Sequence, residues 1–284
     1  MNYLAITPAR DEERLLPSLI RSMAAQRRRP ERWIIIDDGS TDSTPEIVSE
    51  AAARYDWIEA HHLERGHARA PGGESVIMRF LTVETTGQYD FILRLDADLS
   101  FESDFAELLM AEFDRDPMLG IAGPVLYEQH QGRWQEMRVP AFHTRGAAKM
   151  YSSRCFSAIG GLHAGLGWDT VDETRAMMLG FRTRSFREIR AYHLRPQGAA
   201  GGRWRARLAT GRAAYLAGYS PLFMAARTAR NCLERPVLIG GLLMLAGFVE
   251  GYLRGWPQAA TPDLIRFTRR QQIRRLLMLE SVWR

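Results

Sequence analysis

A chain of 284 residues, 46% of them hydrophobic, can bury a large core, which excludes a disordered chain and leaves room for one α/β domain with an appendage. Its two cysteines, Cys155 and Cys232, stand far apart in no metal-like or redox-like spacing, which excludes a disulfide framework and a thiolate zinc site and fits a reducing cytoplasm. The formal charge of +5 hides a polarity: residues 187–284 hold 17 Arg and no Lys against 5 acidic residues, a formal +12, so the first 186 residues stand at −7.

The opening residues reach Arg10 and a charged cluster before any long apolar run, and read as a first strand rather than a secretory leader. Short apolar runs predict strands at 3–7, 33–37, 57–63, 90–96 and 121–127. Leu15, Leu16, Leu19, Ile20 and Met23 form a helical stripe between the first two. Thr44 and Pro45 read as the cap and first-turn proline of a helix running to about Tyr55. This alternation predicts an α/β fold: a Rossmann-like, mostly parallel sheet flanked by helices.

From Phe142 the pattern loosens into turns rich in glycine (Gly160, Gly161, Gly165, Gly167), followed by a helix over 169–179 and a strand over 184–191. The chain divides into a nucleotide-binding half, 1–127, an acceptor-side half, 128–195, and a helical, arginine-rich extension, 196–284, entered through the glycine-rich connection at 197–202. Within the extension, 237–249 is an uncharged apolar stretch of 13 residues bounded by Arg235, Glu250 and Arg254. A membrane span needs about 20 such residues, so the stretch predicts a buried or interfacial amphipathic helix. The basic tail either meets an anionic partner, such as a membrane surface or a lipid-linked phosphate, or forms a solvated basic face.

In an open parallel sheet, ligands bind beyond the carboxyl ends of the strands. Three polar clusters fall there: Pro8 to Asp11, Asp37 to Ser40, and Asp96 to Asp98. In the second, Asp37 and Asp38 offer acceptors for a nucleobase or ribose and Gly39 permits a close turn, although such residues also make ordinary turns. In the third, the two-residue spacing turns Asp96 and Asp98 to the same side of the chain. Paired carboxylates of this kind hold Mg2+ or Mn2+ together with substrate phosphate oxygens. Asp169, Asp172 and Glu173 crowd one helix start, where one of them can serve as a general base or all three can complement the helix dipole.

Taken in order, these motifs resemble those of the inverting family-2 glycosyltransferases, which have the GT-A fold. Ile6, Thr7, Pro8, Ala9, Arg10, Asp11 and Glu12 resemble the family's opening P-x-x-N-E stretch, with Asp11 where the family usually has Asn. Ile36 to Asp42 resembles its nucleotide-binding turn, and Asp96, Ala97 and Asp98 its D-x-D. The resemblance covers residues 3 to about 195. It implies a nucleoside-diphosphate sugar donor of the UDP, GDP or dTDP type, bound by Thr7, Pro8, Ala9, Asp11, Glu12, Asp37, Asp38, Gly39, Ser40, Asp96 and Ala97.

The resemblance also implies Asp38 or Asp37 at the base, Asp96 at the ribose, and Asp98 at Mg2+ or Mn2+, with His193 as a second metal or diphosphate contact. Family spacing, an Asp eleven residues before a glycine, selects Asp169 (with Gly180) ahead of Asp172 and Glu173 as the base. Arg65, Arg69 and Arg79 offer guanidiniums for diphosphate oxygens, with solvated surface arginines as the other reading for at least two of them. The implied acceptor is a saccharide or a lipid-linked group in cell-surface glycan or exopolysaccharide assembly, with the enzyme in the cytoplasm or peripheral on the inner face of the plasma membrane. Two other readings stand beside this one: a noncatalytic nucleotide-sugar-binding scaffold, and a sugar-1-phosphate nucleotidyltransferase, which would want a glycine-rich basic loop after the first strand. Trp204, Tyr215, Tyr219 and Trp256 are too scattered to stack bases, so no nucleic-acid partner is expected.

Overall fold

The structure is a computed structural model describing residues 1–64, 77, 80–81, 87–162, 165–195, 202–232 and 238–283. The readings at Arg65, Arg69, Arg79, Arg235 and 197–201 lie outside these residues. The first half alternates as the sequence predicts: β1 (Tyr3–Ala9), α1 (Leu16–Ala24), β2 (Arg32–Asp37), α2 (Thr44–Arg54), β3 (Ile58–His62) and β4 (Phe91–Leu95). Then come β5 (Leu99–Phe101), α3 (Phe105–Arg115), β6 (Leu119–His130), β7 (Arg133–Glu136), β8 (Ala148–Ser152), α4 (Ser153–Ala158), α5 (Trp168–Met178) and β9 (Arg182–His193). Four helices follow: α6 (Arg203–Leu216), α7 (Pro221–Cys232), α8 (Ile239–Leu253) and α9 (Pro262–Leu276).

The strands form one sheet in the order β3-β2-β1-β4-β8-β6-β9-β5, with β7 paired to β6. β3, β2, β1 and β4 run parallel, as do β6 and β9, while β8 lies antiparallel between β4 and β6. Alternation explains why the strands read as continuous apolar runs: both faces are covered. Tyr3, Ala5, Trp33, Ile35 and Leu93 pack with Leu16, Leu19, Met23 and Val48 of α1 and α2 on one face. Leu4, Ile6, Ile34, Ile36 and Ile92 pack with Tyr151, Phe156 and Trp168 on the other.

A third core joins the extension to α5, where Val171 and Met177 pack with Ala214, Tyr215, Met224, Met244, Phe248 and Leu264. Among the described residues no helix is long and apolar enough to cross a membrane. The apolar stretch forms α8, but the helix is not amphipathic: its buried face and its exposed face are both apolar, because the charged residues stand only at its ends.

Candidate active site

The β1 end, the β2 end and the start of α2 are tied into one polar edge. Asp11 sits at φ 56, a left-handed conformation that Asn and Asp tolerate better than other side chains, and its Oδ1 accepts from the Thr41 N–H at 2.8 Å. Asp therefore replaces Asn here without losing either the backbone geometry or the acceptor. The Asp11 N–H donates to Ser40 Oγ at 3.0 Å, and the Glu12 N–H donates to Thr44 Oγ1 at 2.8 Å. Asp37 Oδ1 accepts from the Ser40 N–H at 3.0 Å across a turn in which Gly39 adopts φ 72.

Asp37 and Asp38 are both buried, and Arg10 lies 3.7 Å from Asp38. Thr7 faces inward and accepts from the Trp33 indole N–H at 3.0 Å, whereas Pro8 is half-buried at the same strand end. Glu12 is paired with Arg195 at 2.5 Å, which brings the loop after β9 over this edge.

Next along the sheet, ligand atoms of Asp96, Asp98 and His193 lie within 4.8 Å of one another. β5 pairs antiparallel with β9, so Leu99 stands opposite His193 and Asp98 is delivered beside the imidazole. His193 Nε2 lies 3.2 Å from Asp98 Oδ1, and its Nδ1 lies 3.2 Å from Glu128 Oε1. Burial alone would lower the imidazole, but Asp98, Asp96 and Glu128 outweigh it and push His193 up to about 9.

Asp98 Oδ1 is buried and accepts no hydrogen bond of good geometry. Two carboxylates and an imidazole whose other nitrogen faces a carboxylate form a donor set that fits a hard or borderline divalent cation, with Glu128 orienting the ring. Ala97 is buried between the two aspartates.

The three acids of α5 fall into different environments. Asp169 is half-buried at the first turn, whereas the Asp172 carboxyl is fully buried and that of Glu173 nearly so. Lys149, the only lysine of the chain, reaches from β8 to all three: its Nζ donates to the Asp169 carbonyl at 2.7 Å and lies 3.1 Å from Asp172 and 3.0 Å from Glu173. Tyr151 donates to Asp172, while Glu173 pairs with His143 at 2.7 Å and accepts from the Thr144 N–H at 2.7 Å.

Burial would lower Lys149, but Asp172 and Glu173 outweigh it and keep the ammonium charged. Burial pushes Asp172 up against the pull of Lys149. Burial acts the same way on Glu173, yet His143 and Lys149 together hold its carboxyl below the usual range. Asp172 and Glu173 are thus absorbed in a buried network, and Asp169 alone of the three is partly open to solvent.

Arg94 joins the metal-type cluster to this helix. Buried in β4, it pairs with Asp96 at 2.7 Å, donates to the Gly146 carbonyl, and lies 4.9 Å from the Trp168 ring centroid, next to Asp169. Arg145 feels both Asp169 and Glu128. Gly167 enters α5 at φ 86, with α6 packed against it: a Cβ there would come 3.0 Å from the Ala213 carbonyl oxygen. Sequence reasoning passed over Arg94, Glu128, His143 and Lys149. Two signals were available, a charged residue inside an otherwise apolar strand and the uniqueness of the lysine.

The mixed sheet flanked by helices has the GT-A fold, which solved glycosyltransferase structures share. A Pyrobaculum calidifontis mannosyltransferase, solved in complex with GDP-Man and Mn2+, matches at 15% identity and TM-score 0.58, covering 98% of this chain and 88% of that one. Staphylococcus aureus TarS residues 1–349, solved with UDP-GlcNAc, matches at 13% identity and TM-score 0.55, covering 89% of this chain and 73% of that one.

The sequence profile of glycosyl transferase family 2 matches residues 4–165, and the chain belongs to that family. A beta-monoglucosyldiacylglycerol synthase of Nostoc sp. is 32% identical over 114 residues, 39% of this chain and 23% of that protein. A 4,4'-diaponeurosporenoate glycosyltransferase of Staphylococcus haemolyticus is 29% identical over 122 residues, 41% of this chain and 29% of that protein. The chain thus matches less than a third of the length of these relatives.

Proposed function

We propose that this protein is an inverting, metal-assisted transferase that moves a sugar from a nucleoside-diphosphate sugar to an acceptor hydroxyl or a lipid-linked phosphate in cell-surface glycan assembly. The observation that carries the reading is the convergence of the Asp96, Asp98 and His193 cluster with the partly open Asp169, held together through Arg94 and Trp168. Asp38 or Asp37 serves the base, Asp96 the ribose, and Asp98 with His193 a Mg2+ or Mn2+ ion. When bound there, the cation supplies charge neutralisation at the departing diphosphate.

The chain's own residues do the rest. Asp169 accepts the proton of the acceptor hydroxyl as that oxygen bonds to the anomeric carbon, while the bond from that carbon to the diphosphate oxygen breaks and its electrons leave with the nucleotide. Asp172 and Glu173, enclosed with Lys149 and His143, hold the first turn of α5 in place. The names of the curated relatives describe glycosyl transfer to lipid-like acceptors in those proteins and support an acceptor of that class here.

Calorimetry of the purified protein with UDP, GDP and dTDP, each with and without Mn2+, tests the reading. Metal-dependent binding of one nucleotide is the expected result. A folded protein that binds none of them would turn the assignment toward a noncatalytic scaffold.

A further inference from the structure

α8 is built inside out. Its inward face is made of Gly240, Gly241, Met244, Gly247, Phe248 and Gly251, all buried. The glycines bring helix backbones into contact: a Cβ on Gly247 would run into the Leu208 carbonyl of α6, and one on Gly251 into the Tyr215 ring. Met244 and Phe248 fill the space between the glycines, while large aliphatic side chains stand on the outward face. Ile239, Leu242, Val249 and Leu253, at helical spacing along one stripe, are 49%, 55%, 41% and 83% exposed. Small residues toward neighbouring helices and large aliphatic ones outward is the arrangement of helices that face lipid.

The surroundings of the stripe are mainly basic, with Glu250 as the acid among the arginines. Arg207 packs against the first turn at Gly240, Arg212 and Arg254 enclose Glu250 near the last turn, and exposed Trp204 and Arg205 begin the neighbouring α6. From these observations we infer that α8 lies in the plane of an anionic phospholipid leaflet, its aliphatic stripe among the acyl chains and the flanking arginines on the headgroups. With 15 residues, α8 lies in the surface and does not cross it. A second copy of the chain fits this face poorly, since it would bring two segments of formal charge +12 together. The inference rests on α8 and its arginines, independently of the donor or the reaction.

The test is co-sedimentation of the full chain with vesicles of phosphatidylcholine alone or mixed with phosphatidylglycerol, at low and high salt. The expected result is selective binding to the anionic vesicles that weakens with salt. The exposed-site variant Leu242→Gln/Leu253→Gln should bind them about tenfold more weakly or worse, with an unchanged unfolding temperature. The inference is overturned if the wild type ignores anionic vesicles, or if the variant binds them as the wild type does. It is equally overturned if the wild type proves to be a dimer that the variant converts to monomer, which would make the stripe a self-interface.

Discussion

Replacing Lys149 by Met keeps side-chain volume while deleting the one ammonium that lies within 3.1 Å of both Asp172 and Glu173. Breaking a buried ion pair by removing one partner costs about 3–5 kcal/mol, because a charge is left uncompensated. Here the lower end applies, since Glu173 keeps His143 and Asp172 keeps the Tyr151 hydroxyl. A loss of about 3 kcal/mol lowers the unfolding temperature of a chain this size by roughly 6–12 °C.

The sign with pH follows from the protons. Asp172 is already pushed up by burial, and without the opposing pull of Lys149 it binds its proton more tightly still in the folded state, so its contribution to the variant is fullest below the ordinary carboxyl range of about 4 and is lost as pH rises. Wild-type Glu173, held below that range, behaves oppositely: its contribution is present above about 4.3 and lost as pH falls. The deficit of Lys149→Met should therefore be largest at neutral pH and shrink toward pH ~5. Adding Asp172→Asn should recover part of it, whereas Lys149→Arg should not, because a wider guanidinium does not fit a fully buried ammonium site. Turnover should fall on the order of tenfold to a hundredfold, since the Asp169 carbonyl loses its anchor. Thermal unfolding followed by circular dichroism across pH decides the matter. A deficit under about 1 kcal/mol, or one independent of pH, would refute the reasoning.

Asp98→Ala should abolish metal-dependent turnover while leaving the unfolding temperature close to wild type, measured by sugar-transfer assay and calorimetry in parallel. Asp169→Asn should spare nucleotide binding and suppress transfer by about a hundredfold or more; a fully active Asp169→Asn would move the base elsewhere. Asp11→Asn should change stability by less than about 0.5 kcal/mol, whereas Asp11→Ala, which loses the acceptor for Thr41 and strains a φ of 56, should cost about 1–3 kcal/mol in denaturant unfolding.

The nucleotide edge was legible because its chemistry is local. Asp37, Gly39 and Ser40 form a single turn, and Asp11 and Glu12 follow one apolar strand, so short-range pattern places them. Asp96 and Asp98 were legible for the same reason. The antiparallel β8 was not: Ala148 to Ser152 is five residues long, carries a lysine, and owes its place between β4 and β6 to long-range pairing that no local period records. α3 was not predicted, although Phe105, Leu109 and Phe113 are spaced as the buried stripe of a helix. Local spacing also put Asp169, Asp172 and Glu173 on one face. Their separation into one half-open carboxylate and two enclosed ones depends on Lys149, twenty residues and more away along the chain.

Composition draws a boundary near residue 195, where arginine takes over, but packing does not follow it. Val171 and Met177 of α5 complete their core with residues of α6, α7, α8 and α9, and Ala213 of α6 presses on Gly167, the residue that opens α5. The orientation of Asp169 is therefore fixed from two sides: from the sheet by Lys149 through the first-turn carbonyl, and from the extension by apolar packing along the helix. α6 touches both α5 and the glycine face of α8, so whatever α8 rests against bears, through one intervening helix, on the element that carries the proposed base.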